Sequence, residues 1–369
     1  MLPLSWQRVR LGDVGKPCMC KRVMKHQTTR YGEIPFYKIG TFGNTADAFI
    51  SKKLFLEYKT KYSFPKKGDI LISASGTIGR AVIYDGKPAY FQDSNIVWID
   101  NDETLVKNDF LFYAYSNVKW NTEHTTILRL YNDNFRNTLI PLPPLNEQIA
   151  IANILSALDR YLCALDALIL KKEGVKKALS FELLSQRKRL KGFNQAWQRV
   201  RLGDIANYLT SNLSAEQIAQ QGKIKVYDVN NFIGYTDTTF ISDKPYISIV
   251  KDGSVGRVRI LPPKTNILST MGALIANHRT TTEFLFYLLS NFDFKNFTSG
   301  SIIPHIYFKD YKEKTIFLPP LNEQSAIASI LSTLDNEIAG LKNKKRQFEN
   351  IKKALNHDLM STKIRVLKK

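Results

Sequence analysis

The sequence predicts two α/β (α+β) domains separated by an antiparallel two-helix coiled-coil spacer, the whole forming an internal pseudo-two-fold repeat. Three observations carry this. The string WQRVRLGD stands at 6–13 and again, unchanged, at 197–204. The string LPPLNEQ stands at 142–148 and again at 318–324, so two motifs recur in one order. After each LPPLNEQ the apolar residues fall at alternating spacings of four and three, the seam of a coiled coil. The expected boundaries are 1–144 for the first domain, 145–191 for the central helix, 192–320 for the second domain and 321–369 for the C-terminal helix.

The order of the anchors locates what is shared. The two WQRVRLGD copies are 191 residues apart and the two LPPLNEQ copies 176, so the second half has lost 15 residues between its anchors. From 142–159 against 318–335 only three pairs differ, Ile149/Ser325, Asn153/Ser329 and Ala157/Thr333, and a KKAL block at 176–179 and 352–355 keeps the register. The stretches 14–140 and 205–316 share only scraps. Constancy within one chain points to a shared job, and divergence to separate ones.

Within the first divergent stretch, 68–73 followed by Ser75-Gly76-Thr77-Ile78-Gly79-Arg80 and 81–84 reads as strand, glycine turn, strand. Its partner in the second is 246–250, then Asp252-Gly253-Ser254-Val255-Gly256-Arg257 and 258–260. What persists is G-[ST]-[IV]-G-R. The glycines suit a backbone that approaches a phosphate, with Thr77 or Ser254 as donor and Arg80 or Arg257 as charge; a plain tight hairpin with an exposed arginine explains the same residues. A second echo is Arg129-Leu130-Tyr131 against His305-Ile306-Tyr307, each a polar donor beside an aromatic, with the tyrosines expected in the core. Lys21, Arg22, Lys25 and Arg30 form a basic cluster without a strict equivalent in the second half. A solvated face is the first reading of them; if they meet DNA they add salt-dependent affinity and not sequence choice.

The constant segments read as long helices. The seam runs through Ile151, Leu155, Leu158, Leu162, Leu165 and Ile169, and through Ile327, Leu331, Leu334, Ile338 and Leu341, then Phe348, Leu355 and Leu359. Pro143-Pro144 and Pro319-Pro320 block any extension backwards, Asn146 or Asn322 is placed to cap, and Glu147 or Glu323 suits the positive helix end. Running to about Leu190 and Leu367, each helix would span roughly 60–65 Å. An amphipathic helix lying on its own domain is the alternative. Chain order makes the pair antiparallel, and pseudo-symmetry places Trp6 at the end of the second helix as Trp197 follows the first.

Composition sets the class. With 44% hydrophobic and 11% aromatic residues the chain has ample material for packed cores. Lys plus Arg exceed Asp plus Glu by 53 to 33, a formal +20 spread along the sequence, which suits a long polyanion; a basic housekeeping protein is the plainer reading of charge alone. No apolar run reaches about 18 residues, and Met1-Leu2-Pro3-Leu4 leads at once into Trp6, Gln7 and Arg8, so a soluble intracellular protein without membrane contact is expected. Cys18, Cys20 and Cys163 form no CxxC, and His26, His124, His278, His305 and His357 no HExxH-like pair, so no metal is assigned.

Two divergent domains, each followed by a long helix opened by PPLNEQ, with SGTIGR in the first domain, resemble the specificity subunit of type I restriction-modification systems, and the resemblance covers essentially the whole chain. It implies that each divergent domain is a target recognition domain reading one half of a split sequence in double-stranded DNA. The helices would set the half-site spacing and dock two methyltransferase subunits, with endonuclease/translocase subunits completing the assembly in the prokaryotic cytoplasm. S-adenosylmethionine would sit on the partner, leaving no cofactor on this chain. The docking candidates are Pro144, Glu147, Gln148, Leu155, Leu158, Leu162 and Leu165 in the first copy. In the second they are Pro320, Glu323, Gln324, Leu331, Leu334, Ile338 and Leu341. DGSVGR in place of SGTIGR and the shorter second domain depart from the family pattern.

Catalysis is not expected. No [ND]PP[YF] methyltransferase motif or GxxxxGK[ST] phosphate loop is present, and Asp47 with Glu57-Tyr58-Lys59 gives a nuclease-like spacing that the second half lacks. The remaining alternative is a protein-binding scaffold of two domains on a coiled coil, its charge serving solubility.

Overall fold

A computed structural model describes residues 6–124 and 128–366. Met1–Leu4 and the expected helix end at Leu367 lie outside the described residues. The chain divides into two compact units, Met1–Leu165 with Lys344–Lys369, and Asp166–Asn343.

In the first unit the strands Gly15–Met19, Ile96–Asn101, Ile70–Ser73 and Ala81–Ile83 form one antiparallel sheet in that spatial order. A second sheet sets Ile34–Tyr37 between Phe49–Ile50 and a parallel Tyr90–Phe91. The fully apolar Ile70-Leu71-Ile72 is buried because both of its faces meet core. The second unit repeats the plan with Ala206–Thr210, Met271–Ala276, Tyr246–Val250 and Val258–Leu261, and with Ile224–Tyr227 between Phe232–Thr236 and Thr265–Ile267. The predicted strand, glycine turn, strand units are central to both. Most of the missing residues come from one crossover: the first unit inserts the helix Lys52–Lys61 between Ile34–Tyr37 and Ile70–Ser73, and the second reaches Tyr246–Val250 from Ile224–Tyr227 without one.

WQRVRLGD begins an edge strand in each unit. Gln7–Arg10 pairs antiparallel with Leu139–Leu142, and Gln198–Arg201 with Thr315–Leu318, so each copy is zipped to the residues that lead into a long helix.

Those helices are Leu145–Leu184 and Leu321–Met360, of 40 residues each and so about 60 Å long. Both begin directly after the proline pair. Asn146 and Asn322 are inside the first turn and not before it; each accepts the N–H of the following glutamate at 2.9 Å. Both end several residues short of the apolar pattern. The chain turns off through Gln186 and Thr362, each at φ 62°, and folds back with Lys188 N–H on the Glu182 carbonyl and Ile364 N–H on that of Asp358. Left-handed backbone stops a helix whatever its side chains.

Within each unit the helical segments meet antiparallel. In the first, Tyr161 packs on Phe348, and Lys352 bonds Asp159. In the second, Lys172 meets Glu337, and Lys176 meets Asp335. Leu155, Leu165, Leu331 and Ile338 of the seam are buried, and Leu158, Leu162, Leu334 and Leu341 half-buried. Several of these residues also enter the cores of their own units, Ile151 and Leu155 in one and Ile327 and Leu331 in the other. A helix that starts against its own domain and continues as a seam satisfies both readings of the pattern.

Candidate nucleic-acid interface

The two motif echoes join in space. The backbone of Ser75 bridges that of Arg129, and the backbone of Asp252 bridges that of His305. Leu130 N–H closes on the Ala74 carbonyl and Ile306 N–H on that of Lys251, 2.8 and 2.9 Å, so the glycine turn and the R-L-Y or H-I-Y segment form one ledge in each unit. The central Leu130 and Ile306 are buried, which turns their neighbours outward. Tyr131 and Tyr307 are therefore exposed, contrary to the core position expected for them.

The side chains on the ledges differ while the backbone does not. In the first unit Asn95 links the two parts: its Oδ1 accepts Ser75 Oγ–H at 2.8 Å and Arg129 Nη2–H at 2.9 Å. Ser75 itself is buried, so it positions Asn95 and is not open to DNA as expected of it. In the second, His305 Nδ1 lies 2.6 Å from Asp252 Oδ1 and no bridging amide is needed. The serine-to-aspartate change in DGSVGR is thus matched by the arginine-to-histidine change opposite.

The four motif glycines do two jobs. All have positive φ: 64° at Gly76, 82° at Gly79, 84° at Gly253 and 80° at Gly256. A Cβ on Gly79 would lie 2.0 Å from Trp120 Nε1, and one on Gly256 would lie 2.6 Å from Phe294 Cδ2. Rings fill the side-chain direction of those two, and their N–H groups are spent on the Ser73 and Val250 carbonyls at 2.9 Å, so neither offers a donor to a phosphate. Gly253 faces open space and Gly76 meets only Ile39 at 3.7 Å, so only the first glycine of each pair leaves room for a ligand. Thr77 and Ser254 beside them are exposed. Arg80 and Arg257 are exposed too, yet each reaches the loop after the first strand of the three-stranded sheet: Arg80 Nη2 to the Gly43 carbonyl at 3.4 Å, Arg257 Nη2 to Asn230 Oδ1 at 2.9 Å.

A cleft of about 490 Å³ in the first unit gathers Arg22, Lys25, Lys38, Gln92, Asn95 and Arg129. Two members of the predicted basic cluster thereby meet the ledge. Arg22 is tied to Asp93 at 2.8 Å, which reduces its pull on an anion. Lys21 sits apart, its ammonium 5.1 Å from the Tyr62 ring centre.

Glu147, Gln148, Glu323 and Gln324, expected to dock partners, are buried and consumed internally. Glu147 accepts Trp6 Nε1–H at 3.0 Å and a two-pronged contact from Arg365 at 2.7 and 3.0 Å. Glu323 accepts Trp197 Nε1–H at 3.0 Å and Arg189 at 3.2 and 2.6 Å. Gln148 donates to the Leu105 and Pro143 carbonyls and accepts Lys107 N–H; Gln324 donates to those of Arg279 and Pro319 and accepts Thr281 N–H. A carboxylate removed from water is held by such partners and is not offered outward. The buried seam residues Leu155, Leu165, Leu331 and Ile338 are likewise closed to a second chain. Pro144 and Pro320 remain at least partly exposed. As pseudo-symmetry required, Trp6 and the end of the second helix meet, through Glu147. Arg189 and Arg365 were not anticipated; their signal is that they stand 176 apart, in the register of the helices. The KKAL lysines and Tyr113 and Tyr287 form a second matched contact, Tyr113 donating to Asp159 at 2.7 Å and Tyr287 to Asp335 at 2.9 Å. Burial, then the carboxylate beside each, pushes both phenols above their usual range.

Asp47, Glu57 and Lys59 do not converge. Asp47 pairs with Lys38, Glu57 with Lys61, and Lys59 lies over Phe55 and Phe64. Burial pushes the Cys20 thiol up to about 12. Among the described residues no cluster of His, Cys, Asp and Glu could hold a metal ion, and no helix is long and apolar enough to cross a membrane.

Comparison with known proteins places this architecture. The family model described as type I restriction modification DNA specificity domain matches twice, at residues 3–172 and 194–350. A protein of Haemophilus influenzae that bears the name of a type I restriction enzyme specificity subunit is 62% identical over 152 residues, 41% of this chain and 40% of that protein. The MjaVIII type I restriction enzyme specificity subunit of Methanocaldococcus jannaschii is 25% identical across 99% of this chain and 94% of its own length. The solved S subunit of a type I restriction-modification system from M. genitalium shares the fold with a TM-score of 0.64 at 20% identity, covering 97% of this chain and 98% of that one. A chain from a study of type I system assembly and conformational transition does so at 0.59 and 17%, covering 98% of each. With the family model filling both halves, and two matched units each built of sheets, a ledge and a locked helix, this chain belongs to the non-catalytic specificity subunits of type I restriction-modification systems.

Proposed function

We propose that each unit reads one half of a bipartite target in double-stranded DNA, and that the two helices set the half-site spacing and dock two methyltransferase subunits. Endonuclease/translocase subunits complete the assembly in the prokaryotic cytoplasm, and S-adenosylmethionine is bound by the methyltransferase and not by this chain. One observation carries the reading: the same ledge is built twice on one backbone plan, with Ser75, Asn95 and Arg129 in one unit and Asp252 and His305 in the other. A surface that met the same partner in both units would keep its side chains, as the exposed Leu145 and Leu321 do. A surface that differs chemically on a constant frame suits two different half-sites. The exposed Thr77 or Ser254, and Arg80 or Arg257, supply the phosphate side of that contact, with Gly76 or Gly253 leaving room for it.

For docking, the exposed apolar residues replace the buried ones as candidates. In the first unit Leu145 and Ile351 are exposed, and in the second their counterparts Leu321 and Val175. Matched apolar exposure serves two like partners.

The test is duplex binding and methylation by this chain assembled with a methyltransferase subunit, across a range of salt. A steep linear fall of log K with log salt, and methyl groups within a split motif of fixed gap, are expected. A flat slope favours the protein-scaffold reading, and methylation by this chain alone would refute a non-catalytic role.

A further inference from the structure

Resting on that reading, we infer that one loop in each unit carries a base-reading pair at its tip: Arg30 and Tyr31 in the first unit, Gln220 and Gln221 in the second, with Arg30 taking a guanine and the glutamine pair an adenine. The loops 21–33 and 211–223 share almost no sequence, yet they have one conformation. In each, a short 3-10 turn, Lys25–Gln27 or Ala215–Gln217, is closed by its own glutamine: Gln27 Oε1 accepts Met24 N–H at 2.8 Å, and Gln217 Oε1 accepts Ser214 N–H at 2.9 Å. Two residues on, Thr29 exchanges a pair of backbone hydrogen bonds with Phe49, and Ala219 does so with Tyr235. Gly32 and Gly222 then press against those same residues, a Cβ on either falling 2.8 Å from the Phe49 or Tyr235 Cβ. Three anchors on each side fix the frame. The tip residues between the bridge and the glycine are held by their backbone and point into solvent, Tyr31 being 87% exposed.

What differs between the tips is hydrogen-bonding chemistry. Arg30 presents a planar fork matched to the O6 and N7 acceptors of guanine, and a glutamine amide matches the N7 acceptor and N6 donor of adenine. Gln220 and Gln221 carry no charge, so they add nothing to the attraction for phosphate, and a loop serving only that attraction would keep lysines or arginines in both units. The loop also borders the ledge: Lys25 and Thr28 line the cleft that contains Asn95 and Arg129. A rigid backbone frame repeated in both units with exchanged tips is the arrangement expected of a specificity element.

The experiment uses the full chain assembled with its methyltransferase partner. The split motif of the wild-type complex is first mapped from the positions of its methylated bases. Binding is then measured to duplexes in which each motif position is replaced in turn, for wild type, Arg30→Gln, Arg30→Lys and the Gln220→Ala/Gln221→Ala double variant, each checked by thermal melting. In wild type, each read position costs roughly 5- to 150-fold on replacement. Arg30→Gln is expected to abolish that penalty at a single G·C pair of one half-site, and the double glutamine variant at an A·T pair of the other half, with every other position unchanged. Arg30→Lys keeps the charge and can still donate to guanine O6 and N7, so it should retain more of that single-position penalty than Arg30→Gln, with both complexes melting like wild type. Retention of every penalty, or an even loss of affinity at all sequences, would overturn the inference. A wild-type complex with no split motif would instead overturn the functional reading on which it rests.

Discussion

The carboxylates of Glu147 and Glu323 decide the most structure per atom in this chain. Each binds the indole of WQRVRLGD and an arginine from beyond a helix end, so three distant segments are tied at one point. Glu323→Ala removes the acceptor from Trp197 in a buried site. Because a hydrogen bond to a charged group contributes about 1.5–3 kcal/mol, stability in urea unfolding should fall by at least that, and by less in Glu323→Gln, which keeps an acceptor. Tyr115 is the opposite case. Its hydroxyl is fully buried without a hydrogen-bond partner among the described residues, and the matching position of the second unit is the apolar Leu289. Tyr115→Phe should therefore raise stability by about 1 kcal/mol, and a loss of that size would mean that the hydroxyl is bonded. LPPLNEQ announced that its Glu and Gln matter. That they face inward was not legible, since an outward and an inward carboxylate look alike until Arg365 and Arg189 are placed beside them.

At the scale of elements, the glycine turn separates into a buried and an open part. Gly79→Ala and Gly256→Ala drive a methyl group into Trp120 and Phe294 at positive φ, and each should cost about 3 kcal/mol or more. Gly76→Ala and Gly253→Ala meet open space or an ordinary contact and carry only the left-handed strain, about 1–2 kcal/mol. Chemical unfolding of the four variants ranks them, and an equal loss in all four would contradict the covering rings. The helix ends give a second comparison. Gln186→Gly and Thr362→Gly relieve a left-handed residue and should each stabilise by about 1 kcal/mol on thermal or urea unfolding. The helix starts were legible because a proline pair blocks extension by its own ring, in any surroundings. The ends were not, because the apolar pattern continues past them and only the fold-back of Lys188 and Ile364 interrupts it.

For the whole molecule, duplication does two things. It keeps the locks, the KKAL lysines on Asp159 and Asp335, and the exposed Leu145 and Leu321 the same, and it lets the ledges and the loops 21–33 and 211–223 diverge. Arg80→Ala and Arg257→Ala should each weaken binding of the assembled complex evenly across sequences and reduce its salt slope by about 0.9, as loss of one phosphate contact does. A change confined to one motif position would instead make that arginine a base reader. The sequence by itself determined the repeat, the two long helices and their starts, and the strand, turn, strand units, because these rest on identity between halves and on local backbone chemistry; its PPLNEQ and SGTIGR motifs carried the resemblance to the family. Only the tertiary structure decided that Ser75 meets Arg129 and Asp252 meets His305, that Glu147 and Glu323 are buried, and that the loops 21–33 and 211–223 are one element. These are contacts between segments far apart in the chain, and where the two halves diverge in side chains, the shared backbone hydrogen bonds that keep them alike leave almost no mark in the letters.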